Sequence, residues 1–191
     1  SFLDRYYINY YLHPVELGYY ASLQEILVRS FSLTLFPFTL ALHPRIMDLW
    51  NKSKFQESIE LIVKSFYLML IIGFLILVAG WVFNDLIFSL IQKAIPEFNL
   101  KSKILILPLL FSGFLWQLSF LTHKMMELKE KTLLMTIAII PSLIINIIGN
   151  NLFLPTFGTI ATAYTSLFSA LAYFVITTVH FYYSIRKLKT F

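Results

Sequence analysis

Cysteine is absent from this 191-residue chain, so neither a disulfide framework nor a thiolate metal site can form. Charge is scarce too. Asp, Glu, Lys and Arg make up 13% of the residues, against roughly 25% in soluble domains, whereas hydrophobic residues make up 58% and the mean hydropathy is +0.75. That balance excludes a water-soluble globular domain and specifies an integral membrane protein. The chain has no H-E-x-x-H, no G-x-S-x-G, no glycine-rich phosphate loop, and no His and carboxylate cluster at metal-ligating spacing. No enzyme chemistry, metal or bound cofactor is therefore expected. The net charge of +5 is spread over the connections rather than gathered on one face, which argues against a nucleic-acid partner. The chain opens on Ser-Phe-Leu-Asp, without a basic and short apolar leader. Its first residues read as the second half of a helix whose beginning precedes them.

Long apolar runs are what the chain has in abundance, together with 19 Phe and 11 Tyr that suit lipid-facing surfaces and interfacial belts. Five segments, at about 18–43, 61–83, 104–122, 132–154 and 159–183, are each long enough to cross about 30 Å of hydrocarbon as a helix. None alternates apolar and polar residues as a barrel strand does. The expected fold is an all-α polytopic bundle of five full spans and one partial span, in contact with the lipid bilayer. Arg45, Lys52, Lys54, Lys124, Lys129, Lys131, Arg186, Lys187 and Lys189 fall in connections on one side; Lys93, Lys101 and Lys103 fall on the other. The positive-inside rule then puts the carboxyl terminus in the cytoplasm. The connection that opens at Pro44 reads as a loop. In "NDLIFSLIQKAIPEF", apolar residues at helical spacing predict either a short interfacial helix or an extension of the preceding span. Pro37, Pro108 and Pro141 lie inside expected spans, and small residues from Ala161 to Ala172 offer close helix packing.

The first full span carries Ser22, Glu25, Arg29 and Ser32 at spacings of three and four, hence on one face, with Thr39 and His43 continuing the line. With Gly18 at the outer boundary, Glu25 lies about 10 Å deep and Arg29 about 16 Å, near the midplane. A charge there costs roughly 2.5 to 3.5 kcal/mol on insertion scales. One reading is a structural Glu25–Arg29 ion pair sealed inside the bundle. The other is a water-lined path, since one carboxylate cannot occupy all five guanidinium donors. Asp4 and Arg5 form a second charge pair, read as interfacial or functional. Asn146 and Asn150 share a face of the fourth span, for packing or for binding.

Three stretches carry a resemblance. "DRYYINYYLHPVELGYYA" is similar to the seventh-helix Asp-Arg and Glu-x-Gly-x-Tyr turn of Wzx-type flippases, members of the multidrug, oligosaccharidyl-lipid and polysaccharide exporter superfamily. "HPRIMDLWNKSKFQESIEL" resembles their Pro-started cytoplasmic loop, and "NIIGNNLFLPTFGTIATAYTS" their Asn-rich, Leu-Pro-x-x-Gly hairpin; Ala161 stands where a second Gly is common. The resemblance implies the carboxyl-terminal half of a two-lobed, alternating-access transporter in the bacterial inner membrane, whose missing amino-terminal lobe closes a central cavity. The implied substrate is an undecaprenyl-diphosphate-linked oligosaccharide. Arg29 and Arg5 then serve as anion contacts, and Glu25 either orients Arg29 or exchanges a coupling proton or sodium ion. Asp4 accompanies Arg5, and Ser22, Ser32, Asn146 and Asn150 offer hydrogen bonds to sugars. A cation-coupled multidrug exporter of the same architecture, a membrane scaffold and a glycan polymerase or ligase are the competing readings.

Overall fold

The computed structural model describes residues 2–94 and 100–189. Eight α-helices follow one another among these: α1 (Phe2–Tyr11), α2 (Pro14–Asn51), α3 (Phe55–Val82), α4 (Asn84–Ala94), α5 (Ile106–Thr122), α6 (Lys124–Leu128), α7 (Thr132–Phe157) and α8 (Thr159–Lys189). A 3-10 turn, Leu100–Leu105, leads into α5, and no strand occurs among the described residues. Five helical stretches are long and apolar enough to cross a membrane: α2, α3, the run from Ser102 to Leu128, α7 and α8. The protein is an all-α, multi-pass membrane bundle.

The helices α3 and α8 extend to Phe55 and Lys189, beyond the expected 61–83 and 159–183, and two other spans overrun their expected ends through a proline. The helix expected at 18–43 runs through Pro37 and Pro44 to Asn51, and the one expected at 132–154 runs through Pro155 to Phe157. Proline removes one donor, leaving the carbonyls of Leu33, Leu40 and Asn151 without their in-helix partners. Pro37, Pro44 and Pro155 all lie on exposed faces, so the ring displaces nothing packed. At about 1.5 Å per residue, the 38 residues of α2 extend about 57 Å. That is far more than the roughly 30 Å of hydrocarbon, so its charged end (Arg45, Asp48) projects beyond the bilayer. The amphipathic segment after α3 is a separate helix, α4, with a turn at Phe83; its continuation at 95–99 lies outside the described residues. So do the side chains of Lys101 and Lys189.

The innermost span is α5, packed between α2, α3 and α8. Leu109, Leu110, Phe114, Leu118 and Leu121 on α5 meet Leu23, Leu27, Phe31 and Leu35, which recur every three or four residues along α2. At Gly73 an added Cβ would lie 2.0 Å from the Phe114 ring, so glycine is what allows α3 to approach α5. The outer faces of α3 and α7 expose Tyr67, Ile71, Phe74, Leu75, Ile140, Ile144 and Ile148, which would be a liability in water and is the norm against lipid. Short α1 lies against α2, α7 and α8. Its carboxyl end, together with the Gly158 turn, marks one side of the bundle. The Ser53 turn, α6 and the end of α8 mark the other, which carries most of the lysines.

Candidate functional site

Where α1 begins, a cavity of about 610 Å³ opens between α2 and α7, backed by α5 and α8. Arg5 and Leu3 stand over it from α1, and Gln24, Glu25, Val28 and Arg29 line it from α2. Opposite them are Ser142, Leu143 and Asn146 of α7, with Ser166 and Ser169 of α8 and Ser112 and Trp116 of α5 behind. Four of the eight sequence-derived candidates (Arg5, Glu25, Arg29 and Asn146) line this space directly. Asp4 and Asn150 are not among its lining, but Asp4 bonds to Gln24, Asn146 and Ser166, which are.

The charges form two separate groups. Glu25 is one i,i+4 step from Arg29 on α2, and α1 brings Arg5 to the same carboxylate from twenty residues away. Arg5 Nη2 meets Glu25 Oε1, and Arg29 Nε meets Glu25 Oε2. One carboxylate thus bridges two guanidiniums, leaving a net positive charge. The Arg29 side chain is 72% exposed and those of Arg5 and Glu25 about 40%, so this group is not sealed in a dry contact.

Asp4 is fully buried rather than interfacial. Its carboxylate accepts hydrogen bonds from Asn146 Nδ2 at 2.8 Å, Ser166 Oγ at 2.8 Å and Gln24 Nε2 at 3.0 Å, with Asn150 Nδ2 at 3.5 Å. These donors come from three helices, so the carboxylate ties α1 to α2, α7 and α8 at mid-depth. A buried charge is tolerable on such terms because neutral donors from three helices reach its oxygens. Asn150 Oδ1 is buried without a hydrogen-bond partner among the described residues, an oxygen standing next to the carboxylate cage.

The remaining sequence candidates go elsewhere. Ser22 turns back to donate to the Gly18 carbonyl at 2.9 Å, and Ser32 accepts from Gln117 Nε2 of α5 at 2.8 Å; neither lines the cavity. The polar line also breaks beyond Ser32. Thr39 is buried against Leu35 and Met69, and His43 joins a distinct cluster in which buried Lys124 reaches Glu127 Oε2 at 2.7 Å and His43 Nδ1 at 2.8 Å. Sequence reasoning passed over Gln24, Ser142, Ser166 and Ser169. A signal existed for Ser142, which precedes Asn146 and Asn150 at intervals of four on one face of α7. Ser166 and Ser169 looked like packing residues, and Ser169 does bond across to Ser142.

Two guanidiniums, two carboxylates and a set of amides and hydroxyls thus gather at one cavity walled by membrane helices. A model of the MatE family matches residues 1–152. Among curated proteins and solved structures nothing matches the chain. The chain belongs to the MatE family and is thus a multi-pass membrane transporter of the multidrug, oligosaccharidyl-lipid and polysaccharide exporter superfamily.

Proposed function

We propose that this chain is the carboxyl-terminal lobe of an alternating-access transporter that flips undecaprenyl-diphosphate-linked oligosaccharide across the bacterial inner membrane, with a second lobe closing the cavity. The observation that carries this reading is the Arg5–Glu25–Arg29 group: one carboxylate between two guanidiniums, open to a cavity at the depth of the hydrocarbon. A diphosphate crossing the membrane needs cationic donors in a hydrated space. Arg29 offers it a fork where lysine would offer a point charge, and Glu25 holds that fork in place. Asn146, Ser142 and Ser169 supply neutral hydrogen-bonding groups beside it for sugar hydroxyls. Coupling to a proton or sodium gradient falls more naturally on Asp4 than on Glu25. Neutralising Asp4 would weaken the bonds that hold α1 to α7 and α8, and so would change how the helices around the cavity pack. The lysine-rich side faces the cytoplasm in this reading, and reporter fusions at the carboxyl terminus check that orientation.

The multidrug reading draws on the same cavity, because Glu25 is the carboxylate a cationic drug would seek. Complementation separates the two. A strain lacking the transporter should lose surface glycan and regain it with the wild-type gene, not with Arg29→Ala, and in part with Arg29→Lys; the multidrug reading expects drug sensitivity and intact glycan. Normal glycan from Arg29→Ala at wild-type protein level would remove the anion contact. If Arg29→Ala and Glu25→Gln each abolish protein accumulation and a double apolar replacement restores it, the trio is structural.

A further inference from the structure

Away from the cavity, on the lysine-rich side of the bundle, a second set of titratable groups joins α2, α6 and α8. Lys124 opens α6 with its side chain only 7% exposed, and its Nζ lies 2.7 Å from Glu127 Oε2 and 2.8 Å from Nδ1 of His43 on α2. Glu127 Oε1 is 3.4 Å from the same ring nitrogen. At the joint of α5 and α6, His123 has Nε2 3.9 Å from Glu127 Oε2 and Nδ1 3.3 Å from the Tyr173 hydroxyl of α8. The other charges at this end are engaged or turned outward: Glu60 and Lys64 of α3 face each other at 3.8 Å, Arg45 of α2 is exposed, and His180 of α8 stands near Lys129 and Lys131.

An ammonium has donors and no acceptor, so the 2.8 Å contact needs a lone pair on His43 Nδ1. It therefore belongs to the neutral imidazole, with its proton on Nε2. A second proton on the ring would set one N–H against another and place two positive charges about 3 Å apart, where Coulomb repulsion is steep. Glu127 already serves Lys124, so the three groups pass from neutral to a net positive charge. Histidine is the side chain that makes such a change between pH 5 and 8, and His43, 37% exposed, is open to protons from water at this end.

The segment that His43 holds has a place to bend. Six residues earlier, Pro37 removes the backbone bond to the Leu33 carbonyl, the kind of break at which helices kink. Beyond it, Ser58 Oγ of α3 donates to the Ile46 carbonyl at 3.2 Å, so the end of α2 and the start of α3 form one unit. Ile46, Ile59 and Ile62 of that unit pack on Met125 and Leu128. Those apolar contacts do not titrate, which leaves the bond from Lys124 to His43 as the proton-dependent part of the joint.

We propose that His43 is a proton-operated latch: neutral, it fastens the last third of α2 to α6 through Lys124; protonated, it releases that segment to bend at Pro37. The inference rests on the alternating-access part of the proposed function for its role, which is to let one side of the bundle open, and is independent of the substrate.

The test is double electron–electron resonance on the purified protein in nanodiscs without substrate, with spin labels on Asn51→Cys and Leu133→Cys, both at exposed positions. About 21 Å of helix separates Pro37 from Asn51, so a bend of about 10–20° displaces the labelled end by about 4–7 Å. The label distance should gain a population longer by up to about 7 Å as the pH falls from 8 to 5.5. His43→Asn keeps an acceptor near the Nδ1 position without a titrating ring, and should hold the short distance at both pH values. Lys124→Met removes the repelling charge and leaves protonated His43 facing Glu127, so lowering the pH should no longer lengthen the distance. Thermal midpoints at pH 8 check that each variant is folded. An unchanged distance in the wild-type background, or the same lengthening in His43→Asn, would overturn the latch; the same lengthening in Lys124→Met would overturn charge repulsion as its cause. Intact surface glycan in a strain lacking the transporter would sink the flipping reading and leave the measured latch standing.

Discussion

Replacing Asp4 by alanine should loosen the joint between α1 and the rest of the bundle by an amount the geometry sets. Three donors within 3.0 Å of the carboxylate, on Asn146, Ser166 and Gln24, lose their acceptor. A buried donor left unpaired costs about 1–3 kcal/mol. All three residues also line the cavity, so a freed donor has open space to turn into and each loss belongs at the lower end, about 1 kcal/mol. Relief from burying a charge offsets part of the total, leaving about 2–3 kcal/mol. For a chain of this size 1 kcal/mol corresponds to roughly 2–4 °C, so the midpoint of thermal unfolding in detergent should fall by about 4–12 °C. Asp4→Asn keeps the shape but turns an amide donor towards at least one of the three donors, and should fall by roughly half as much. Combining Asp4→Asn with Asn146→Ala should give less than the sum of the two single effects, with a coupling of about 1 kcal/mol. Asp4→Ala melting with the wild type, or strict additivity in the cycle, would refute the buried carboxylate as the tie between these helices.

Gly73→Ala would drive a methyl group into the Phe114 ring, which Phe31 backs at 5.8 Å; a loss of about 1–3 kcal/mol is expected, and Gly73→Ala/Phe114→Leu should recover much of it in the same melting assay. Gly158 has φ +63° and open space around its Cα, so Gly158→Ala should cost about 1–3 kcal/mol through backbone strain alone, without rescue by any neighbouring truncation. Glu127→Gln strands the buried Lys124 ammonium beside His43. Because Glu127 is partly exposed, the expected loss is about 2 kcal/mol, below that of a fully buried pair, and Lys124→Met added to it should restore stability.

The five spans, their helical character and the side bearing the positive charge follow from hydropathy and charge placement, because bilayer thickness turns any apolar run of sufficient length into a crossing helix. The Glu25–Arg29 pair was legible for a similar reason: an i,i+4 spacing is a property of one helix and needs no partner. Asp4 and Arg5 were visible as charges but not as a site. What separates them is the packing of α1, which turns Asp4 into a cage of donors from α2, α7 and α8 and carries Arg5 across to Glu25. Ser22 and Ser32 share a wheel face with Glu25, yet their hydroxyls are used by a neighbouring carbonyl and by Gln117. The tyrosines of α1 read by sequence as interfacial aromatics, and only the packing of α1 on α7 pairs two of them, Tyr7 and Tyr11, with Asn151. Periodicity fixes which residues share a face of one helix. Which groups on different helices meet is decided by interhelical packing, and in a membrane both lipid and a neighbouring helix satisfy an apolar face, so hydropathy carries no record of that choice.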